Sequence, residues 1–147
     1  MIADQNLIDI ICIQEHRHFH DNIDIRYNSR GSWTLVTASA TKNSVNATVG
    51  GVGLLLSARA KASLNYVSKV SSRIITATFN SNPSLTVMSC YSPTNCSDID
   101  DVEDFYNDLS EVISHTPKHN LLLMGGDFTE VYAHICTWCT YRKVQVQ

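Results

Sequence analysis

Two stretches of this chain carry a run of large apolar residues into groups that can do chemistry. Leu121-Leu122-Leu123-Met124 leads into Gly125-Gly126-Asp127-Phe128, and Ile8-Asp9-Ile10-Ile11-Cys12-Ile13 leads into Gln14-Glu15-His16-Arg17. Both read as buried strands. A carboxylate released at a strand tip can serve as acid, base or metal ligand. Glycines ahead of such an acid let backbone approach a ligand, or turn, without a Cβ penalty. Alone, Gly-Gly-Asp-Phe reads equally well as a strand ending in a polar turn. Two strands that release Glu15 and Asp127 at the same end suit a hard divalent cation. Mg²⁺ takes one or two carboxylates and completes its shell with water and phosphate oxygens.

Other groups with chemical potential have blander readings. His16, His18 and His20 alternate as a metal-binding strand would, but no further ligands accompany them, and a solvated loop is the better reading. His134-x-Cys136-x-x-Cys139 is half of a zinc site without its second pair. Arg73 is either a solvated charge at a strand end or a group that positions a phosphate.

Composition sets the frame. A chain of 147 residues is long enough for one sizeable core, and 44% apolar with 17% charged residues is globular rather than disordered. The net charge of −3 supplies no bulk positive field for nucleic acid, so a phosphate site needs local basic residues or a metal. Five cysteines without regular spacing and no signal-like segment predict reduced thiols and an intracellular protein, nuclear or cytoplasmic. Cys12 and Cys90, inside apolar strand patterns, read as small core residues. No apolar run approaches the roughly 20 residues of a membrane helix, so no membrane partner is expected.

The elements that must position Glu15 and Asp127 follow from periodicity. After the first strand comes a polar loop over 16–32, then a strand at Trp33-Thr34-Leu35-Val36-Thr37 and a Ser/Thr/Asn-rich loop over 39–48. Gly50 to Leu56 is a glycine-led strand. Alternating segments over 62–70 and 73–79 follow, and an Asn/Pro turn over 80–84 leads to a strand over 85–91, a hairpin pattern. Between Asp98 and Ser114 the period becomes helical: Ile99, Val102, Phe105, Leu109, Val112 and Ile113 share a face. Ser97, Asp98, Asp100 and Asp101 supply a cap and negative charge at the positive end of the helix dipole. The order of strand, antiparallel strands, helix and strand predicts an α+β or sandwich-like plan.

Five segments in order then form a pattern: Ile13-Gln14-Glu15-His16, Gly51-Val52-Gly53, Ser72-Arg73-Ile74, Cys90-Tyr91-Ser92-Pro93-Thr94-Asn95 and Gly125-Gly126-Asp127-Phe128. Together they resemble the endonuclease/exonuclease/phosphatase superfamily, in particular the endonuclease domain of LINE-type (non-LTR) retrotransposons and the craniofacial-development-like proteins. The resemblance covers residues 1 to about 130. It implies a four-layer α/β sandwich of the deoxyribonuclease-like kind and a Mg²⁺-dependent hydrolase that nicks DNA. By the same resemblance Glu15 is the acid that holds Mg²⁺, Tyr91 the tyrosine near the scissile phosphate, and Asp127 the aspartate that activates or positions water. Asn95, Arg73 and Thr129 are possible substrate contacts.

The chain also departs from that pattern. Where the family has an asparagine two residues after the aspartate, Thr129 offers a hydroxyl, which cannot present both an NH₂ donor and a carbonyl acceptor. The family's first strand, with its asparagine, and its C-terminal strands, with a further aspartate and an aspartate–histidine pair, have no counterpart, and Tyr132 to Gln147 are unlike the family. The expectation is a partial domain over 1–130 followed by an unrelated tail over 131–147: a truncated copy, weakly active or inactive. The alternative is a non-enzymatic DNA- or protein-binding remnant.

Overall fold

The structure, a computed structural model, describes residues 8–27, 31–43, 45–94 and 97–128. Strands β1 (Ile10–Ile13), β2 (Ile23–Tyr27), β3 (Trp33–Ala38) and β6 (Val52–Ser57) form one sheet in the order β1-β6-β3-β2, every pairing antiparallel. Strands β7 (Leu64–Lys69), β8 (Ile74–Phe79), β9 (Leu85–Tyr91) and β10 (Leu121–Asp127) form a second, in the order β10-β9-β8-β7. Only β10 runs parallel to its neighbour there, because α2 (Ile99–His115) carries the chain back across the sheet before it begins. A short ribbon, β4 (Thr41–Lys42) with β5 (Thr48–Val49), and a short helix, α1 (Ala58–Ser63), complete the described elements. The protein is mixed α+β and mostly sheet.

The two sheets share one core. Val36, Val52, Leu54 and Leu56 of the first pack with Ile75, Ala77, Phe79 and Val87 of the second. A second cluster lies on the far side of the second sheet, where Phe105 and Leu109 of α2 cover Ile74, Met88 and Cys90. Burying each of the larger side chains contributes about 1.5–3 kcal/mol against the chain entropy. The helical face expected from Ile99 to Ile113 forms around Phe105 and Leu109, while Ile99 itself is 70% exposed at the first turn. Asp98 is the N-cap residue without a side-chain capping bond, and Asp100 and Asp101 lie in the first turn.

Three expectations need correction. The segment 16–32, read as polar loop, contains β2. Its Ile-Asp-Ile-Arg alternation belongs to an edge strand, whose charges Asp24 and Arg26 pair with each other. The segment from Ala62, read as strand, begins inside α1: the Ser57 hydroxyl accepts from the Ala60 N–H at 3.1 Å, and Ala and Lys favour the helix that follows. Among the described residues, the two apolar runs around the candidate acids are edge strands and not buried ones. β1 is half-buried along its length, and Leu121 and Leu123 of β10 are 53% and 50% exposed. No helix among the described residues is long and apolar enough to cross a membrane.

Candidate active site

The five motif segments meet at one end of the sheets, joined by a chain of backbone hydrogen bonds. The His16 N–H donates to Gly51 O at 3.2 Å, and the Gly51 N–H to Ser72 O at 3.0 Å. The Tyr91 N–H donates to Arg73 O at 2.9 Å, and the Ser92 N–H to Asp127 O at 3.0 Å. The parallel register of β9 and β10 sets Asp127 directly beside Tyr91. Glu15, Arg73, Tyr91 and Asp127 therefore converge although they come from four separate parts of the sequence.

The tip of β1 is fixed on β9 by side chains. Gln14 Nε2 donates to Ser89 Oγ at 3.2 Å, and Ser89 Oγ donates to Ile13 O at the same distance. These bonds bring the following residue, Glu15, near Tyr91, and the carboxylate and the phenol shift each other's ionisation. Arg17 Nη2 donates to Glu15 Oε1 at 2.6 Å. That guanidinium is the main cause holding the Glu15 carboxyl below its usual range.

His16 holds this loop in place. Its ring lies on Gly51, where a Cβ would come within 2.5 Å of Cε1, and Gly51 has φ +87, a conformation open to glycine. Nε2 sits 2.9 Å from Ala38 O, and Nδ1 accepts from the His18 N–H at 3.0 Å. Both ring nitrogens are thus engaged by backbone, and burial pushes the imidazole below its ordinary value. The ring also stacks with those of His18 and His20. The three histidines lie in a loop, as expected, with His18 exposed, but the His16 ring stacks with those of His18 and His20 rather than standing free in solvent.

Tyr91 is the electrostatic centre of the corner. Burial is the main cause raising its hydroxyl, with the Glu15 and Asp127 charges adding to it and Arg73 opposing it. The Arg73 guanidinium lies over the ring, 5.5 Å from its centroid, in cation–π geometry. Arg73 Nη1 is buried without a hydrogen-bond partner among the described residues.

Gly125 and Gly126 earn their places by packing. A Cβ on Gly125 would lie 2.7 Å from Cys12 Sγ on β1, and one on Gly126 would overlap the Cys90 carbonyl on β9. The glycines let β10 close onto both neighbours, which brings the Asp127 strand end up to Tyr91. Cys12 is half-buried and Cys90 buried, and burial pushes the Cys90 thiol up to about 12, so both behave as core residues.

Asn95, Thr129, His134, Cys136 and Cys139 lie outside the described residues. Arg17, named at the strand tip by the sequence, gains a role only in the structure, as the partner of Glu15. An acid and a guanidinium two positions apart, both at a strand tip, were the available signal.

Among the described residues no three His, Cys, Asp or Glu side chains group closely enough to share a metal ion. The donor chemistry at the corner fits a Mg²⁺ held by one protein carboxylate, the 41%-exposed Glu15 side chain, with water and phosphate oxygens completing the shell. A shallow recess of about 170 Å³ lies at the opposite end of the sheets, between Asp9, Arg59, Phe79 and Leu85, away from these groups. Comparison of the chain with protein-family models, with curated proteins and with solved structures finds no match.

Proposed function

We propose that this corner handles a phosphodiester of DNA in the manner of a Mg²⁺-dependent endonuclease of the LINE retrotransposon type, with weak turnover. The observation that carries the reading is the convergence of Glu15, Tyr91, Arg73 and Asp127 through the linked backbone of the five motif segments. The finer fold reading, a deoxyribonuclease-like four-layer sandwich, belongs to the same proposal. The shared two-sheet core with α2 outside the second sheet supports it.

In this reading Glu15 would hold the cation. Bound there, Mg²⁺ stabilises charge that develops on the phosphate and the leaving oxygen. Tyr91, kept protonated well above neutral pH by burial and by its acidic neighbours, donates to a non-bridging oxygen. Arg73 holds the phenol from its ring face and adds positive charge beneath the phosphate. Asp127 accepts a proton from, or orients, the attacking water. Two features limit turnover. Arg17 competes for Glu15, and Thr129 supplies a hydroxyl where the resembled family has an amide.

Nicking of supercoiled plasmid in Mg²⁺ tests this directly. Slow nicking that EDTA stops and that Glu15→Ala and Asp127→Asn abolish is the expected result. Nicking indifferent to both substitutions overturns the assignment of the site.

A second reading, a non-enzymatic binding protein, draws on β10, an edge strand among the described residues. Leu121, Leu123 and Phe128 are exposed there, an apolar strip that a partner strand would cover. DNA binding that weakens with salt and proceeds without cleavage would favour binding as the function.

A further inference from the structure

Glu15 and Arg17 both have left-handed backbone, with φ 54 and φ 55. Non-glycine residues in that region cost about 1 kcal/mol or more each, and they persist where the surroundings over-determine them. Here the surroundings are explicit. His16, between the two, is held through both ring nitrogens and its N–H, and the Arg17 N–H donates to Gly50 O at 3.0 Å. The loop thus aims an acid and a guanidinium at each other across one residue. The two side chains, 63% and 41% exposed, meet in a 2.6 Å bond. The carboxylate in that bond is the one assigned to the cation.

We infer that Arg17 is a built-in counter-ion for the metal site: it neutralises Glu15 until a divalent cation displaces it, and the released guanidinium then faces the phosphate that arrives with the metal. This inference rests on the reading of Glu15 as the metal ligand. Metal alone must break the ion pair, and phosphate alone meets the Glu15 charge. When both bind, each charge exchanges its partner and none is left unpaired. Arg17 consequently weakens binding of the cation by itself and strengthens binding of the phosphodiester.

Mn²⁺, which accepts the same oxygen donors as Mg²⁺ and is paramagnetic, provides the probe. Titrated into the full chain and followed by electron paramagnetic resonance, it is expected to bind Arg17→Met about two- to five-fold more tightly than the wild type, the range set by an exposed ion pair. Arg17→Lys, which keeps a cation on the same stem position, should stay within about twofold of wild type. Glu15→Gln should lose the site. Arg17→Met should also bind a short DNA duplex more weakly than wild type. If Glu15→Gln loses Mn²⁺ but Arg17→Met binds it no more tightly, the counter-ion role is wrong and the metal assignment stands. If wild type and Arg17→Met both fail to bind Mn²⁺, the inference and the reading beneath it fall together.

Discussion

The Tyr91 phenol, at the end of β9, lies close enough to the Glu15 carboxylate, in the loop after β1, for each to shift the other's ionisation. The two groups therefore titrate as neighbours. Burial and the Glu15 charge both favour the neutral phenol, so its ionisation is displaced upward. Glu15→Gln removes one of those causes, and the phenol should ionise at lower pH than in wild type. The difference in phenolate ultraviolet absorbance between each protein and its Tyr91→Phe partner isolates this hydroxyl from the other tyrosines. An unchanged titration would mean that the acid and the phenol do not meet in solution.

Gly125 and Gly126 give a stability test with an internal control. Alanine at either should cost about 1–3 kcal/mol, because each added methyl meets a packed neighbour. The obstacles differ. At Gly125 the nearest atom is Cys12 Sγ, a side chain, whereas at Gly126 it is the Cys90 carbonyl, backbone. Cys12→Ala should recover part of the loss from Gly125→Ala and none of the loss from Gly126→Ala, a non-additivity that urea unfolding of the double variants measures.

His16 predicts a pH dependence with a definite sign. Its ionisation lies below the ordinary value of 6.5 because burial disfavours the charged ring. Below that value the unfolded chain binds the proton more readily than the folded one. The stability associated with His16 is therefore fully present above 6.5 and is lost as pH falls through the lowered folded value. Urea midpoints taken from about pH 8 to about pH 5 should decline in wild type, and the slope in that window should flatten in His16→Asn. An equal slope in both proteins would remove the imidazole from its anchoring role.

β10, an edge strand among the described residues, carries no charge from Leu121 to Gly126. An uncharged apolar edge templates pairing with other chains, and a lysine on it blocks that pairing. Leu123→Lys, at a side chain already 50% exposed, should reduce light scattering on heating while changing the unfolding free energy by no more than about 0.5 kcal/mol. Scattering equal to wild type would place the sticky surface elsewhere.

Much of this arrangement was readable in the chain. β3, β6, β8, β9 and α2 follow their apolar periods, and the acids at Glu15 and Asp127 sit at strand tips where the pattern put them. The errors have physical sources. β1 and β10 read as buried because continuous apolar runs mark buried strands, and the period of a strand does not say whether a neighbour lies beside it. β2 was missed because an edge strand tolerates charge on alternate positions. The glycines before Asp127 looked suited to a ligand, and only tertiary contact shows them facing Cys12 and Cys90. Arg17 went unassigned because its pairing depends on left-handed backbone at two non-glycine positions, which residue type does not reveal.

The most direct test of the central claim is the amide NMR spectrum of the chain titrated with Mg²⁺ and a short DNA duplex. The account predicts shifts confined to the joined corner, at Glu15 to Arg17, Gly51, Ser72 to Arg73, Tyr91 to Ser92 and Asp127, and their loss in Glu15→Gln. Shifts centred on Asp9 and Arg59 at the opposite end of the sheets, or a spectrum that Mg²⁺ and DNA leave unchanged, would contradict it.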